Sequence, residues 1–371
     1  MKKLLITSDC FLPRWDGIAR VLAETIPYLA KNYEITVVCP DFGIAPDLPV
    51  KYVRFQTSNR QYGDYVPAVV NKKALYSAVK NADLVFNHTM GPIGYRTIKF
   101  AKRLKKPVVS YIHSIDWELF SNSIKWGKPL VYVISRLLER VMYNRCKTLM
   151  VPSWDVANKM IDNKIKTPMK TVRLGVNTTQ FTTADKHRAK KALHLPTNSI
   201  IIGFHGRISR EKNLRTLRKA FDRIKDKYYN TQLLIVGQGV HEEEALFDIK
   251  RATLTGQTDN VVPYLQAMDI FVLPSLTETS SLSTMEAMAC GLPVIVTRVG
   301  NTRYYIKHGV NGLFFKRKSP RSLAKMISLL IRNERLRMSL GKNARKTAVT
   351  HFDWANTARK MNEVLRETLK D

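Results

Sequence analysis

The sequence predicts an α/β protein built from two doubly wound, Rossmann-like domains. Three observations carry this. Short runs of Val, Ile and Leu alternate with longer stretches of helical period, the alternation restarts midway, and 371 residues at 44% hydrophobic content suffice for two separate cores. Apolar strands alternating with amphipathic helices are the sequence form of βαβ units, in which a crossover helix joins neighbouring parallel strands.

The first strand is expected over 3–7, a helix over 18–30 and a second strand over 34–39. The pattern continues with a strand at 84–86, a helix at 95–104, a strand at 107–111, a long amphipathic helix at 129–144 and a strand at 148–151. A polar, basic stretch over 186–199, closing on Leu195-Pro196-Thr197-Asn198, then breaks the alternation. After it come strand 200–205, helix 213–224, strands 232–236 and 270–273, helix 283–289 and strand 293–297. The expected division is therefore 1–184 and 185–352, with 353–371 a closing helix that packs back toward the N-terminal domain. Two such domains facing one another place the carboxyl ends of both sheets around a central cleft, where ligands of open α/β sheets bind.

Composition excludes disorder, collagen and a small disulfide scaffold. The four cysteines (Cys10, Cys39, Cys146, Cys290) have no metal-like spacing and read as free thiols in a reducing compartment. Three apolar residues after Met-Lys-Lys are too few for a signal-peptide core, and no run approaches the roughly 20 apolar residues of a membrane span. The expected location is the cytoplasm. With 61 Lys+Arg against 30 Asp+Glu, the net charge is +31, a field that concentrates anions. Residues 48–115 hold 12 basic side chains and two acidic ones; between Glu286 and Glu334 there are nine basic and none acidic.

Two constellations carry chemistry. Gly206-Arg207-Ile208-Ser209-Arg210-Glu211-Lys212-Asn213 follows a strand and leads into a helix, so Arg207 and Lys212 stand where a diphosphate can be gripped. In Pro274–Ile295, Glu278 and Glu286 lie eight residues apart across a small-residue turn, one carboxylate on the loop and the other one to two turns into the helix. Carboxylates placed so can accept from paired sugar hydroxyls.

Together with Leu234-Ile235-Val236-Gly237-Gln238-Gly239, these segments stand in the order found in the retaining, nucleotide-sugar-dependent glycosyltransferases of family 4, which have the two-domain GT-B fold. The chain resembles that family from Phe11-Leu12-Pro13 and Gly17, through Val151-Pro152-Ser153 and Leu174-Gly175-Val176-Asn177, to Phe352 and Trp354. The resemblance implies an N-terminal acceptor domain and a C-terminal nucleotide-sugar domain. It implies that Arg207 and Lys212 neutralise the donor diphosphate, that Glu286 holds the ribose, and that Glu278 contacts the transferred sugar. His113 falls where the family has a histidine near the sugar, and Gly17, Gly206, Gly237, Gly256, Ser281 and Leu282 fall on donor-binding loops.

The chain departs from the family where two glycines usually stand, having Asp16-Gly17, and where Phe-Gly usually stands, having Ser280-Ser281. After the strand at 293–297 it reads Val299-Gly300-Asn301 in place of Gly-Gly. With no carboxylate base in the matched motifs, same-face attack with retention is expected, the departing phosphate oxygen taking the acceptor proton. Arg207 and Lys212 supply the charge that a metal otherwise would, so no metal or other cofactor is expected.

For the acceptor, Lys72, Lys73, Arg96, Lys99, Lys102, Arg103, Lys105 and Lys106 form a cationic cluster, and Trp117 and Trp126 are candidate interfacial aromatics. The stripe Leu130, Ile134, Leu137, Leu138 and Val141 reads as facing the core. Asn87 to Gly94 and the Tyr111-x-His113-Ser114-x-Asp116 pattern look most like glycolipid synthases. The expected function is hexose transfer from a nucleotide sugar, UDP ahead of GDP, to a lipid or lipid-linked acceptor, by an enzyme peripherally bound to the inner face of an anionic membrane. The alternatives are a soluble glycan acceptor, a sugar-nucleotide epimerase and a nucleic-acid-binding protein. The last lacks any recognised module, and no nucleic-acid partner is expected.

Overall fold

The computed structural model describes every residue except 15, 61–64, 124–126, 259 and 371, and every side chain among those except 122 and 123. The chain divides into two compact units, Met1–Leu174 with Trp354–Asp371, and Gly175–Asp353.

In the first unit the elements run β1 (Lys2–Thr7), α1 (Gly17–Leu29), β2 (Tyr33–Pro40), β3 (Lys51–Phe55), α2 (Lys72–Asn81), β4 (Leu84–Asn87), α3 (Pro92–Arg103), β5 (Val108–Tyr111), α4 (Asp116–Ser123), α5 (Lys128–Tyr143), β6 (Thr148–Val151), α6 (Trp154–Asp162) and β7 (Met169–Thr171). The sheet order is β3-β2-β1-β4-β5-β6-β7, parallel throughout, with Leu4 paired to Ile35 on one side and Leu84 on the other. The order reverses beside β1, the topology of a doubly wound sheet. β4, β5 and β6 are buried along their whole length, which is why they read as unbroken apolar runs rather than alternating ones. Asp16, Asn71 and Ser153 cap α1, α2 and α6 by accepting from free N–H groups of the first turn.

The second unit runs α7 (Lys186–Ala192), β8 (Ile200–His205), α8 (Leu214–Asp222), β9 (Thr231–Val236), α9 (His241–Glu244), β10 (Ala252–Leu254), α10 (Val262–Ala267), β11 (Ile270–Leu273), α11 (Leu282–Ala289), β12 (Val294–Thr297), α12 (Thr302–Tyr305), β13 (Leu313–Phe315), α13 (Pro320–Arg332) and α14 (Glu334–His351). Its parallel sheet is ordered β10-β9-β8-β11-β12-β13, again reversing at the first strand. The last helix, α15 (Trp354–Lys370), belongs to the first unit. There it packs on α1, buries Ala358, Met361 and Leu365, and brings Thr368 Oγ1 within 3.2 Å of Thr148 Oγ1.

Three expectations need correction. The boundary falls at Leu174 rather than near 185, because the intervening segment is tied into the second unit. Val176 N donates to the Phe352 carbonyl at 3.1 Å, Phe181 is buried, and the Arg345 guanidinium donates to the Phe181 carbonyl at 2.6 Å. Trp117 is not at a surface: it lies in the first turn of α4 at 3% exposure, inside the core of the first unit. The stripe on α5 does not face that core. Leu130, Ile134, Leu137, Leu138 and Val141 are exposed, while Ser135 and Glu139 of the same helix are buried.

Candidate functional site

In the second unit the loops leaving β8, β9 and β10 meet through glycine. Gly206 and Gly237 adopt φ of +136° and +133°, and a Cβ on Gly237 would stand 2.2 Å from the Gly206 carbonyl oxygen. No L side chain fits that approach. Gly237 N in turn donates to the Gly256 carbonyl at 3.1 Å, so three of the four glycines expected to bind donor lie on adjoining loops.

Beyond Gly206, each expected phosphate-binding cation is held by a carboxylate. Arg207 Nη2 donates to Glu211 Oε1 at 2.6 Å, and the Ser209 hydroxyl donates to the same oxygen. Burial opposes charge on Glu211, yet Arg207 and Lys212 bring its carboxyl below the ordinary value. Lys212 Nζ lies 2.6 Å from Glu278 Oε1, which also accepts from the Ser275 hydroxyl at 2.6 Å. Two further bonds tie the loops carrying these residues. Leu276 N donates to the Glu211 carbonyl at 2.8 Å, and Asn213 Nδ2 donates to the Pro274 carbonyl at 3.1 Å. The structure thus brings Arg207, Lys212 and Glu278 onto one stitched pair of loops after β8 and β11, which are neighbours in the sheet.

Ser281 precedes α11 in the left-handed region, with φ of +61°, and its hydroxyl lies 2.7 Å from Thr284 Oγ1. This is where the family usually carries glycine, and a serine holds that conformation at a cost of about 1 kcal/mol. Leu282 opens the helix. One turn on, Glu286 is buried at 1% exposure, with Oε2 2.5 Å from His205 Nε2. Sequence reasoning missed His205 and Ser275 as partners of the two glutamates. The only signal was their position, at or just past the ends of β8 and β11.

In the first unit the loops after β1, β4 and β5 bring together Asp9, His88 and His113. His88 Nδ1 is 2.8 Å from His113 Nε2, and the His113 ring lies 4.5 Å from that of Tyr111. Burial lowers His113 to about 3 and pushes His88 well below the ordinary range, so both imidazoles are neutral and one donates to the other. Asp9 accepts from Thr89 Oγ1 at 2.7 Å and from Ile93 N and Gly94 N at the start of α3. Asp116, bonded to the Ser114 hydroxyl, is raised by burial to about 6. Asp16 accepts from Ile18 N and Ala19 N, both at 2.9 Å, so a carboxylate already holds the N-terminus of α1 at Gly17.

The cations expected at an acceptor or membrane surface mostly stand in solvent. Lys72 and Lys73 open α2; Lys99, Lys102, Arg103 and Lys105 are exposed, and Arg96 and Lys106 half-buried. Trp126 lies outside the described residues. All four cysteines are free thiols. Among the described residues no cluster of three or more His, Cys, Asp or Glu converges as a metal site, and no helix is long and apolar enough to cross a membrane.

Residues 15–180 match the family described as Glycosyltransferase Family 4, and residues 185–347 match Glycosyl transferases group 1. The chain is a glycosyltransferase with a family 4 and a group 1 domain. Its fold is GT-B. This glycosyltransferase superposes with a TM-score of 0.81 on Anabaena Alr3699/HepE in complex with UDP-glucose, at 17% identity, covering 99% of this chain and all of that one (100%). It is 26% identical over 258 residues to the capsular polysaccharide biosynthesis glycosyltransferase CapM of Staphylococcus aureus, covering 65% of this chain and 68% of CapM. It is 25% identical over 279 residues to the alpha-monoglucosyldiacylglycerol synthase of Acholeplasma laidlawii, covering 71% and 70%. The aligned stretches span between 45% and 75% of the lengths of such curated relatives.

Proposed function

We propose that this glycosyltransferase moves a hexose from a UDP-sugar to a lipid or lipid-linked acceptor at an anionic membrane surface, with retention at the anomeric carbon. The observation that carries the reading is the stitched pair of loops holding Arg207, Lys212 and Glu278 after β8 and β11. Breaking the anomeric C–O bond leaves charge on the nucleoside diphosphate, and cations fixed beforehand lower that barrier without reorganisation. Arg207 and Lys212 fill this role, and Glu278 keeps Lys212 in place until the donor arrives. The acceptor oxygen bonds to the anomeric carbon on the face the diphosphate leaves, and its proton passes to the departing phosphate oxygen. His113, neutral, hydrogen-bonds the sugar rather than stabilising charge, and Glu286, fixed by His205, takes the ribose hydroxyls.

The likeness to a glucosyldiacylglycerol synthase and the cations of α2 and α3 support the lipid acceptor. The test is nucleoside diphosphate release from a panel of UDP- and GDP-sugars, with and without anionic vesicles carrying diacylglycerol. The expected outcome is release from a UDP-hexose that rises with vesicles, persists in EDTA, disappears in Glu278→Ala and gives an α-linked glycolipid from an α-linked donor. Release indifferent to vesicles would point to a soluble glycan. An inverted product would overturn the mechanism, and an altered sugar nucleotide without transfer would make the protein an epimerase.

A further inference from the structure

Helix α5 presents its apolar side to solvent. Leu130, Val133, Ile134, Leu137, Leu138 and Val141 recur at the three- and four-residue spacing of one helix face, and all stand between 40% and 65% exposed. The inward side carries the polar residues. Ser135 and Glu139 are buried, and the Glu139 carboxyl faces the backbone N–H groups of Asp116 and Trp117 at the start of α4, the positive end of that helix. Burial pushes that carboxyl well above the ordinary carboxylate range, so a neutral, buried Glu139 faces α4 and sets the rotation of α5 that turns the apolar stripe outward. Phe120 of α4 is exposed as well. Soluble proteins rarely leave so continuous an apolar strip uncovered without a partner for it.

We infer that α5 is the element that seats the protein on an anionic phospholipid bilayer, its apolar stripe entering the headgroup boundary while neighbouring Lys and Arg side chains meet lipid phosphates. Charge complementarity selects this occupant. Between residues 128 and 147 the basic side chains are Lys128, Arg136, Arg140, Arg145 and Lys147, and the one acidic residue, Glu139, points inward. Beyond the C-terminal end of the helix, Lys105, Lys106, Arg145 and Lys147 line a cavity of about 430 Å³. Helix α3, packed beside α5, adds the exposed Lys99, Lys102 and Arg103. A second copy of the chain is a poor partner, because two-fold pairing of the stripe would bring these cations against their own copies. At about 1.5 Å per residue, 16 residues reach roughly 24 Å, short of a span but suited to lying in the interface plane.

The inference rests on the lipid-acceptor reading and is tested apart from it. Full-length protein is sedimented with phosphatidylglycerol/phosphatidylcholine vesicles, and with phosphatidylcholine alone, in the absence of donor. Wild type is expected to pellet with the anionic vesicles. Ile134→Glu/Leu137→Glu is expected to bind at least about tenfold more weakly, and so is the milder Ile134→Gln/Leu137→Gln, which guards against misfolding. Lys99→Gln/Lys102→Gln/Arg103→Gln is expected to lose about tenfold or more on anionic vesicles only. Nucleoside diphosphate release without lipid should be unchanged in the two stripe variants. Wild type that stays in the supernatant, or stripe variants that pellet like wild type, would overturn the inference. So would a wild-type dimer in analytical ultracentrifugation that the stripe variants convert to monomer with no change in pelleting. Stripe-dependent pelleting without any lipid glycosylation would leave the inference standing and remove the lipid-acceptor reading instead.

Discussion

Lys212 and Glu278 are the pair on which the site's electrostatics turn, and a double-mutant cycle measures their coupling. The two charged atoms are 2.6 Å apart, with side chains 20% and 8% exposed. At an effective dielectric of about 20 their gross attraction is on the order of 6 kcal/mol, most of it offset by desolvation. Breaking a fully buried pair costs about 3–5 kcal/mol and an exposed one about 0–1. With the lysine partly in water, Lys212→Met should cost about 2 kcal/mol, leaving Glu278 with the Ser275 hydroxyl as its remaining partner, and should lower Tm by about 4–8 °C. In Lys212→Met/Glu278→Gln the uncompensated charge is gone, so the double variant should recover about 1 kcal/mol or more relative to the sum of the singles. Urea unfolding of all four proteins gives the coupling. The same pairing predicts that Glu278→Gln, which frees the ammonium, binds UDP several-fold more tightly in calorimetry while its turnover falls. Strictly additive singles, or UDP affinity that drops in Glu278→Gln, would refute the idea that Glu278 neutralises Lys212 until donor binds.

Burial raises Asp116 from 3.8 to about 6, so the folded protein holds that proton more tightly than the unfolded chain. Stability contributed at this site therefore falls as pH climbs from about 4 to 6 and stays low above, by on the order of 3 kcal/mol. Asp116→Asn should be more stable than wild type at pH 7.5 and lose that advantage at pH 4, whereas an equal difference at both pH values in urea titrations would contradict the assignment. Gly237→Ala should destabilise by about 2 kcal/mol or more and abolish donor turnover, because its Cβ would overlap the Gly206 carbonyl in a left-handed backbone. Wild-type melting of that variant would show that the β8 and β9 loops are free to part.

Central strands were legible because burial on both faces left uninterrupted apolar runs; 148–151, 200–205 and 270–273 were read with the ends the structure gives them. β3, β7, β10 and β13 were not read. All four are edge strands; β3, β7 and β10 are only partly buried, with sequences such as Lys-Tyr-Val-Arg-Phe and Met-Lys-Thr, and β7, β10 and β13 are three residues long. The motif glutamates and cations were legible from order and spacing, but their partners were not. Glu211 sits inside the Arg207 to Lys212 motif and binds the cation that the motif displays. His88 binds His113 across 25 residues and His205 binds Glu286 across 81, contacts that only the sheet order creates. α5 misled for a different reason. Helical period reports that one face is apolar, and the direction of that face is set by Glu139 against α4, a tertiary contact.

The two units differ in how synthesis can complete them. The second is one unbroken stretch, Gly175–Asp353, whereas the first needs Trp354 and the residues after it. Until α15 has left the ribosome, the side of the first unit against α1 and Thr148 lacks the cover that Ala358, Met361 and Leu365 provide. The nascent first unit thus waits uncapped while the second folds behind it, and it is finished only once α15 has been made. A stalled or C-terminally nicked product would carry a finished second unit and a first unit with an open apolar flank, the species that chaperones and proteases should recognise first.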